Sequence, residues 1–259
     1  MKTKIHLSVV SHGQAQIVSL LLDDLKMVAT ENDIVVTLTL NIPETLPFDI
    51  ETFPFLIRIE KNAIAKGFGA NHNAAFYKYQ NDSTYFCVVN PDIRLNQDPF
   101  PALLTCLNND AIGLAAPMVV GENGLQEDSA RLFPTPFKIL CKVFSGGKGS
   151  DYEIKNEPIY PDWVGGMFML FPREIFEKLN GFNERFFLYY EDVDLCARLR
   201  LLGYEVALCP AAKVVHDARR SSHGSFRYLK WHLTSMLRFF CSVVFLQVFW
   251  RKFSRVHVK

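Results

Sequence analysis

The feature that most constrains this chain is an alternation, across its first 120 residues, between short apolar runs and segments long enough to be helices. Ile5-His6-Leu7-Ser8-Val9-Val10, residues 34–40, residues 55–59 and residues 85–89 each read as a buried strand, short and rich in β-branched or aromatic side chains. Residues 14–28 carry apolar side chains at helical spacing, and a second helix is predicted over 70–79. Strands joined through helix-length connections form a parallel sheet with right-handed crossovers. In an open α/β sheet, ligands bind outside the carboxyl ends of the strands, so chemistry is expected just after each run.

Residues 121–161 are loop-rich, with several prolines and Gly146-Gly147-Lys148-Gly149; this suits a mobile loop over a site or a plain surface excursion. Regular structure resumes at Trp163, a helix is predicted over 191–202, and Glu205-Val206-Ala207-Leu208 and Lys213-Val214-Val215 read as further strands. From Ser225 onward the pattern is helical, with an apolar centre of twelve residues, 239–250, bracketed by Arg238 and Arg251. A spanning helix needs roughly 20 apolar residues. An interfacial helix, with Phe239, Phe245 and Trp250 entering the lipid boundary, and a helix packed on the core or on another subunit are the two alternatives; the basic flanks favour the first.

Charge sharpens that division. Residues 218–259 hold nine Lys or Arg and no Asp or Glu, while the other 217 hold 19 basic against 27 acidic side chains, a net of −8. The expected layout is therefore an α/β domain over 1–217 and a basic, aromatic helical tail over 218–259 that seeks an anionic partner. The apolar centre of the tail argues against nucleic acid, because phosphate tracking needs solvated basic residues. With 49% hydrophobic and 21% charged residues the chain is not a disordered one. The six cysteines are scattered, most of them inside apolar runs, with no C-x-x-C pair; buried reduced thiols are expected ahead of disulfides or zinc. Lys2-Thr3-Lys4 precedes only a short strand-like run, so no signal peptide and a cytoplasmic location are expected.

Three places could carry chemistry. The fourth run ends in Asn90-Pro91-Asp92, where an aspartate can hold Mg²⁺ or Mn²⁺ against a diphosphate; taken alone, the tripeptide is also an ordinary turn. Glu191-Asp192-Val193-Asp194 puts three carboxylates at a helix start, which either complements the helix dipole or supplies a general base. His216 closes a strand-like run and gains interest only if it converges with Asp92 on one metal. The loop at residues 62–73 has two glycines running into a helix whose backbone N–H groups could receive phosphate; it lacks the full G-x-G-x-x-G pattern.

Taken together and in this order, these pieces resemble family 2 glycosyltransferases of the GT-A fold. The likeness runs from Val9-Val10-Ser11-His12-Gly13 through the 62–73 loop, Asn90-Pro91-Asp92, Arg131-Leu132-Phe133-Pro134, residues 162–170 and residues 181–199, to Val215-His216. Within that family it is most similar to O-antigen rhamnosyltransferases acting on N-acetylglucosaminyl-diphospho-undecaprenol, through Arg131-Leu132-Phe133-Pro134 and Lys230-Trp231-His232-Leu233-Thr234-Ser235.

The resemblance implies an inverting sugar transferase. Asp192 would be the catalytic base with Glu191 beside it, neighbouring carboxylates raising its pKa. Asp92 and His216 would hold a divalent cation, Mg²⁺ or Mn²⁺. Ser11, Asn41, Asn62, Gly67, Phe68, Gly69, Asn90, Asp92 and Arg131 would contact the donor, and Trp163, Gly165, Gly166, Arg219 and Arg220 the acceptor. Many members place Asp-Asn at the end of the second strand, the Asp reading the pyrimidine edge; Leu40-Asn41 stands here, which leaves thymidine against uridine open. The implied donor is dTDP-L-rhamnose and the implied acceptor a polyprenyl-diphosphate-linked sugar, met at the inner face of the cytoplasmic membrane by the basic tail. The alternatives are the same fold with a UDP-hexose or GDP-mannose donor and a non-catalytic nucleotide-sugar binder. No nucleic acid is implied, and an oligomer is compatible with the pattern.

Overall fold

The computed structural model describes residues 3–139, 150–217 and 226–256. Strands β1 (Lys4–Ser11), β2 (Asp33–Leu40), β3 (Leu56–Lys61) and β4 (Tyr85–Val89) run parallel, with helix α1 (Ala15–Val28) and helix α2 (Phe68–Lys78) in the crossovers. After the short β5 (Ile93–Arg94) come helix α3 (Phe100–Leu107), β6 (Ile112–Gly121), the pair β7 (Ala130–Arg131) and β8 (Trp163–Val164), then β9 (Phe168–Pro172). Helix α4 (Arg173–Lys178), helix α5 (Glu191–Leu201), β10 (Glu205–His216), helix α6 (Phe226–Phe240) and helix α7 (Val243–Val256) complete the order. The large sheet is ordered β3-β2-β1-β4-β9-β6-β10-β5.

The α/β expectation holds, and the strands found in the first 90 residues sit within two residues of where the apolar runs place them. One element departs from a purely parallel sheet. β9 lies antiparallel between β4 and β6, so its N-terminal end meets the carboxyl ends of both neighbours. That reversal delivers Gly165 and Gly166 to the ligand edge. The two runs expected around Pro210 form one strand, β10, with a register shift between Cys209 and Lys213; proline cannot donate to the ladder, and the bulge absorbs it.

Each sheet face is covered. Val18, Leu21, Leu22, Leu25 and Val28 of α1 fall at i, i+3, i+4, i+7 and i+10 and pack on Ile5, Leu7 and Val9 of β1. The opposite face packs α2, α4 and α5 with a phenylalanine cluster that includes Phe76, Phe86, Phe171 and Phe176. α6 joins this second core: Phe239 is 0% exposed and its ring meets those of Tyr190 (5.8 Å) and Phe245 (5.6 Å). Phe239 and Phe245, expected at a lipid boundary, are therefore packed inward, and Trp250, 68% exposed, is the one of the three that faces out. Helix periodicity alone leaves open which apolar stripe of a two-sided helix meets the body.

The cysteines are not all apart from one another. The sulfurs of Cys106 on α3 and Cys209 on β10 are brought together, since α3 packs across that strand; Cys87 and Cys196 are buried and free, Cys241 is exposed, and Cys141 lies outside the described residues. Scattered cysteines inside apolar runs carry no pairing signal in one sequence.

Candidate active site

The site is built at the carboxyl edge of the sheet. β4 ends at Val89, and the Asn90 N–H donates to the Met167 carbonyl at 2.8 Å, which ties the Asn90-Pro91-Asp92 turn to the start of β9. Asp92 then leads into β5, which pairs antiparallel with the end of β10, Ile93 opposite His216. Arg94 fixes β5 by forking onto Asp24 of α1 at 2.6 and 2.9 Å. This pairing brings residues 124 apart in sequence together: His216 Nε2 lies 3.3 Å from Asp92 Oδ2. On its other side, His216 Nδ1 is 2.8 Å from Glu127 Oε2. Glu127 is carried there by the return of the chain after β6, where its N–H donates to the Val119 carbonyl at 2.9 Å. The hydrogen bond to Asp92, followed by the one to Glu127, pushes His216 up to about 9 against the opposing effect of burial. Sequence reasoning missed Glu127, an ordinary acid in an acidic loop with no motif around it.

Asp92 Oδ1 is buried and has no hydrogen-bond partner among the described residues. An orphaned carboxylate oxygen next to a histidine nitrogen fits a divalent cation held partly by a ligand's own oxygens. Among the described residues no group of three His, Cys, Asp or Glu side chains forms a metal cage by itself.

The second centre is Asp192, in the first turn of α5. It lines a cleft of about 650 Å³ together with Asn90, Arg131, Trp163, Gly166 and His232. Asp192 Oδ2 accepts from the Gly166 N–H at 3.1 Å and Oδ1 from the Val193 N–H at 2.8 Å, so two backbone donors aim the carboxylate into the cleft. Burial raises its pKa, while those two N–H groups and the Arg131 guanidinium oppose the rise. Glu191 is 5% exposed, and its Oε2 has no partner among the described residues. Burial first, then the Asp192 charge, raise Glu191 well above the usual carboxylate range. The third acid is structural: Asp194 is fully buried and pairs with Arg198 at 2.7 Å, and Arg198 also donates to the Leu179 and Gly181 carbonyls. One acidic cluster thus holds three environments, and only Asp192 joins cleft access to an anchored charge.

The backbone entering α5 is strained. Tyr189 and Tyr190 have φ of +69° and +66°, two successive L-residues in the left-handed region, each costing about 1–3 kcal/mol. α6 holds this turn: Trp231 stacks on Phe187 at 4.7 Å, His232 meets Tyr189 and Tyr190 at 5.3 and 5.5 Å, and the Ser235 hydroxyl donates to the Leu188 carbonyl at 2.9 Å. His232, another residue missed from sequence as a site component, is thereby a wall of the Asp192 cleft.

Of the expected acceptor contacts, Trp163, Gly165 and Gly166 line the cleft, whereas Arg219 and Arg220 lie outside the described residues. Asn90, Phe68 and Arg131, expected toward the donor, line the same cleft; the Arg131 guanidinium sits over Trp163 at 5.4 Å and pairs with Asp128 at 3.0 Å. The remaining donor candidates also bond or pack within the frame. Ser11 is fully buried, and its hydroxyl accepts from the Gln14 N–H at 3.1 Å. Asn41 Oδ1 accepts from Asn62 Nδ2 (2.9 Å) and the Lys66 N–H (2.8 Å), while Asn62 Nδ2 also reaches Asn71 Oδ1 at 2.7 Å. Asn41 and Asn62 therefore staple the 62–67 loop to the end of β2, with their amides occupied by each other. Gly67 is small because a Cβ there would lie 2.6 Å from the Phe187 carbonyl oxygen, and that oxygen accepts the Phe68 N–H at 2.9 Å. At Gly69 the obstacle is Phe182, 2.5 Å from where a Cβ would stand. The loop is a joint between α2 and the α5 entry, and the Phe68 donor expected for phosphate is taken by Phe187.

The comparisons fit this geometry. A family model described as the N-terminal domain of galactosyltransferase matches residues 150–223, the stretch that holds Gly166, Asp192 and His216. The rhamnosyltransferase WbbL of Escherichia coli (strain K12) is 30% identical over 185 residues, covering 67% of this chain and 69% of that protein. The chain belongs to the rhamnosyltransferase group of family 2 glycosyltransferases. The N-acetylglucosaminyl-diphospho-decaprenol L-rhamnosyltransferase of Mycobacterium tuberculosis is 29% identical over 147 residues, and the match spans 52% of this transferase and about half, 47%, of that protein. The crystal structure of GalNAc-T7 with UDP, GalNAc and Mn²⁺ superposes with a TM-score of 0.66 at 14% identity, over 90% of this chain and 47% of that one, which shows a shared GT-A fold.

Proposed function

We propose that this transferase moves an L-rhamnosyl group from dTDP-L-rhamnose, with inversion, onto N-acetylglucosamine carried by a polyprenyl diphosphate at the inner face of the cytoplasmic membrane. The observation that carries the reading is the placing of two centres along one sheet edge. Asp192 is anchored in a cleft that reaches Asn90, and two residues further on Asp92 meets His216. The names of the relatives support the sugar and the acceptor class.

Asp192 accepts the proton of the acceptor hydroxyl as its oxygen bonds to the anomeric carbon and the bond from that carbon to the diphosphate breaks. The Gly166 and Val193 N–H groups hold the carboxylate while it waits. Glu191 stands beside it, its carboxyl raised well above the usual carboxylate range by burial and by the Asp192 charge. Asp92, joined by His216 once that ring gives up a proton, would hold Mg²⁺ or Mn²⁺, which supplies neutralisation of the charge gathering on the leaving diphosphate. The Mn²⁺ in the GalNAc-T7 structure supports a divalent cation as a class.

The test is incubation with a panel of nucleotide sugars and a synthetic lipid-diphosphate-GlcNAc, with the product linkage determined. Transfer from dTDP-L-rhamnose above all other donors is expected; preferred use of a UDP-hexose or GDP-mannose overturns the donor. Asp192→Asn should lower kcat by about 10²–10⁴-fold with donor affinity retained. Turnover near that of the wild type removes Asp192 from the role of base.

A further inference from the structure

α6 and α7 are two-sided helices. Ser235 and Phe239 of α6 and Phe245 of α7 face the body. On the other side of α6, Leu229, Leu233 and Leu237 are 44–61% exposed, and on α7 Val243, Leu246 and Trp250 are 50–68% exposed. Steps of four residues advance about 40° around a helix, so the three leucines form one outward stripe, and Val243, Leu246 and Trp250 repeat the pattern one helix later. Lys230 stands exposed beside the leucine stripe. Among the described residues no single helix is long and apolar enough to cross a membrane; α6 and α7 taken together are, but they are bent by 59° to each other and their inward faces are packed on the body. A broad apolar face remains, on two helices that hold six basic side chains and no acidic one, of which Arg238 and Arg251 donate to carbonyls of the body.

We propose that this outward face of α6 and α7 docks flat on an anionic lipid surface, so that α6 stands between lipid on one side and the Asp192 cleft on the other. The apolar stripes match the acyl layer of such a surface, and the exposed Arg227 and Lys230, on a segment with no acidic side chain, match its anionic headgroups. A second copy of the chain fits less well, because a two-fold contact sets the patch against itself and its basic residues against their own images. A nucleic acid would leave the leucines in water. The inward side of the same helix carries His232 at the cleft wall, so an acceptor held in the lipid surface meets the cleft along α6. That last use rests on the lipid-linked acceptor proposed above; the docking does not.

The test takes the full chain and its Leu233→Glu/Leu237→Glu variant, both positions outside the cleft. Binding is measured by co-sedimentation with vesicles of phosphatidylcholine alone and of phosphatidylcholine with phosphatidylglycerol. Transfer to a short-chain, water-soluble acceptor is measured alongside. The wild type should bind the anionic vesicles and weaken as salt is raised. The variant should bind about tenfold or more weakly, with its melting temperature and soluble-acceptor turnover unchanged. Equal binding by both proteins, or no binding of anionic vesicles by the wild type, overturns the docking face. So does a wild-type dimer that the variant dissolves, which would make the face a contact between copies. A wild type that docks and transfers to no acceptor leaves the docking standing and overturns the proposed function instead.

Discussion

Phe239→Ala separates a tail that merely follows the transferase body from a helix that belongs to it. Phe239 is 0% exposed, and its ring meets Tyr190, Phe240 and Phe245 at 5.6–5.9 Å. Truncating a fully buried phenylalanine to alanine costs about 3–5 kcal/mol, from lost transfer free energy and the cavity left behind. For a domain of this size each kcal/mol lowers Tm by about 2–4 °C, so a fall on the order of 6–20 °C is expected. Leu237, two residues earlier and 61% exposed, is the control: Leu237→Ala should stay within about 0.5 kcal/mol of the wild type. Calorimetry or circular-dichroism melting of both variants reads the difference. Phe239 also backs Tyr190, which enters α5 at φ +66°, so the strained turn that aims Asp192 should loosen and kcat should fall in the fraction still folded. Equal small shifts for Phe239→Ala and Leu237→Ala refute the packing of α6 into the second core.

Asp192 must be ionised to act, and burial raises its pKa; activity should therefore be lost as pH falls through a value above the ordinary aspartate range. Arg131 opposes that rise, so Arg131→Met should move the acid limb of the kcat/KM profile to higher pH, and an unmoved limb refutes Arg131 as a neighbour of the working charge. Asp92→Asn should abolish Mn²⁺-dependent strengthening of donor binding in calorimetric titration while leaving Tm close to that of the wild type; persistence of the metal effect removes Asp92 as a ligand. Gly67→Ala sets a Cβ against the Phe187 backbone at 2.6 Å and should cost about 1–3 kcal/mol in urea unfolding. An unchanged midpoint would show that the joint between α2 and the α5 entry is loose.

The amino-acid sequence determined what is local. The β1, β2 and β4 runs are short, apolar and bounded by polar turns, so burial leaves them one way to fold, and the Asn90-Pro91-Asp92 and Asp192 positions follow from where those runs and the α5 pattern stop. It also singled out Asp92, Asp192 and His216, because their residue types suit the chemistry and their order resembles one family. Tertiary structure decided whatever depends on partners distant in the chain. Glu127 reaches His216 only because β6 and β10 are neighbours, and Asp192 is held by Gly166 only because β9 runs against its neighbours. Only the structure shows that Asn41 and Asn62, expected as donor contacts, also bond each other, and the Asp92, Asp192 and Asp194 carboxylates look alike until burial and neighbours set them apart. A side chain's type is written in the sequence, but its protonation, exposure and partners are properties of the space around it, and that space exists only once the chain has closed on itself.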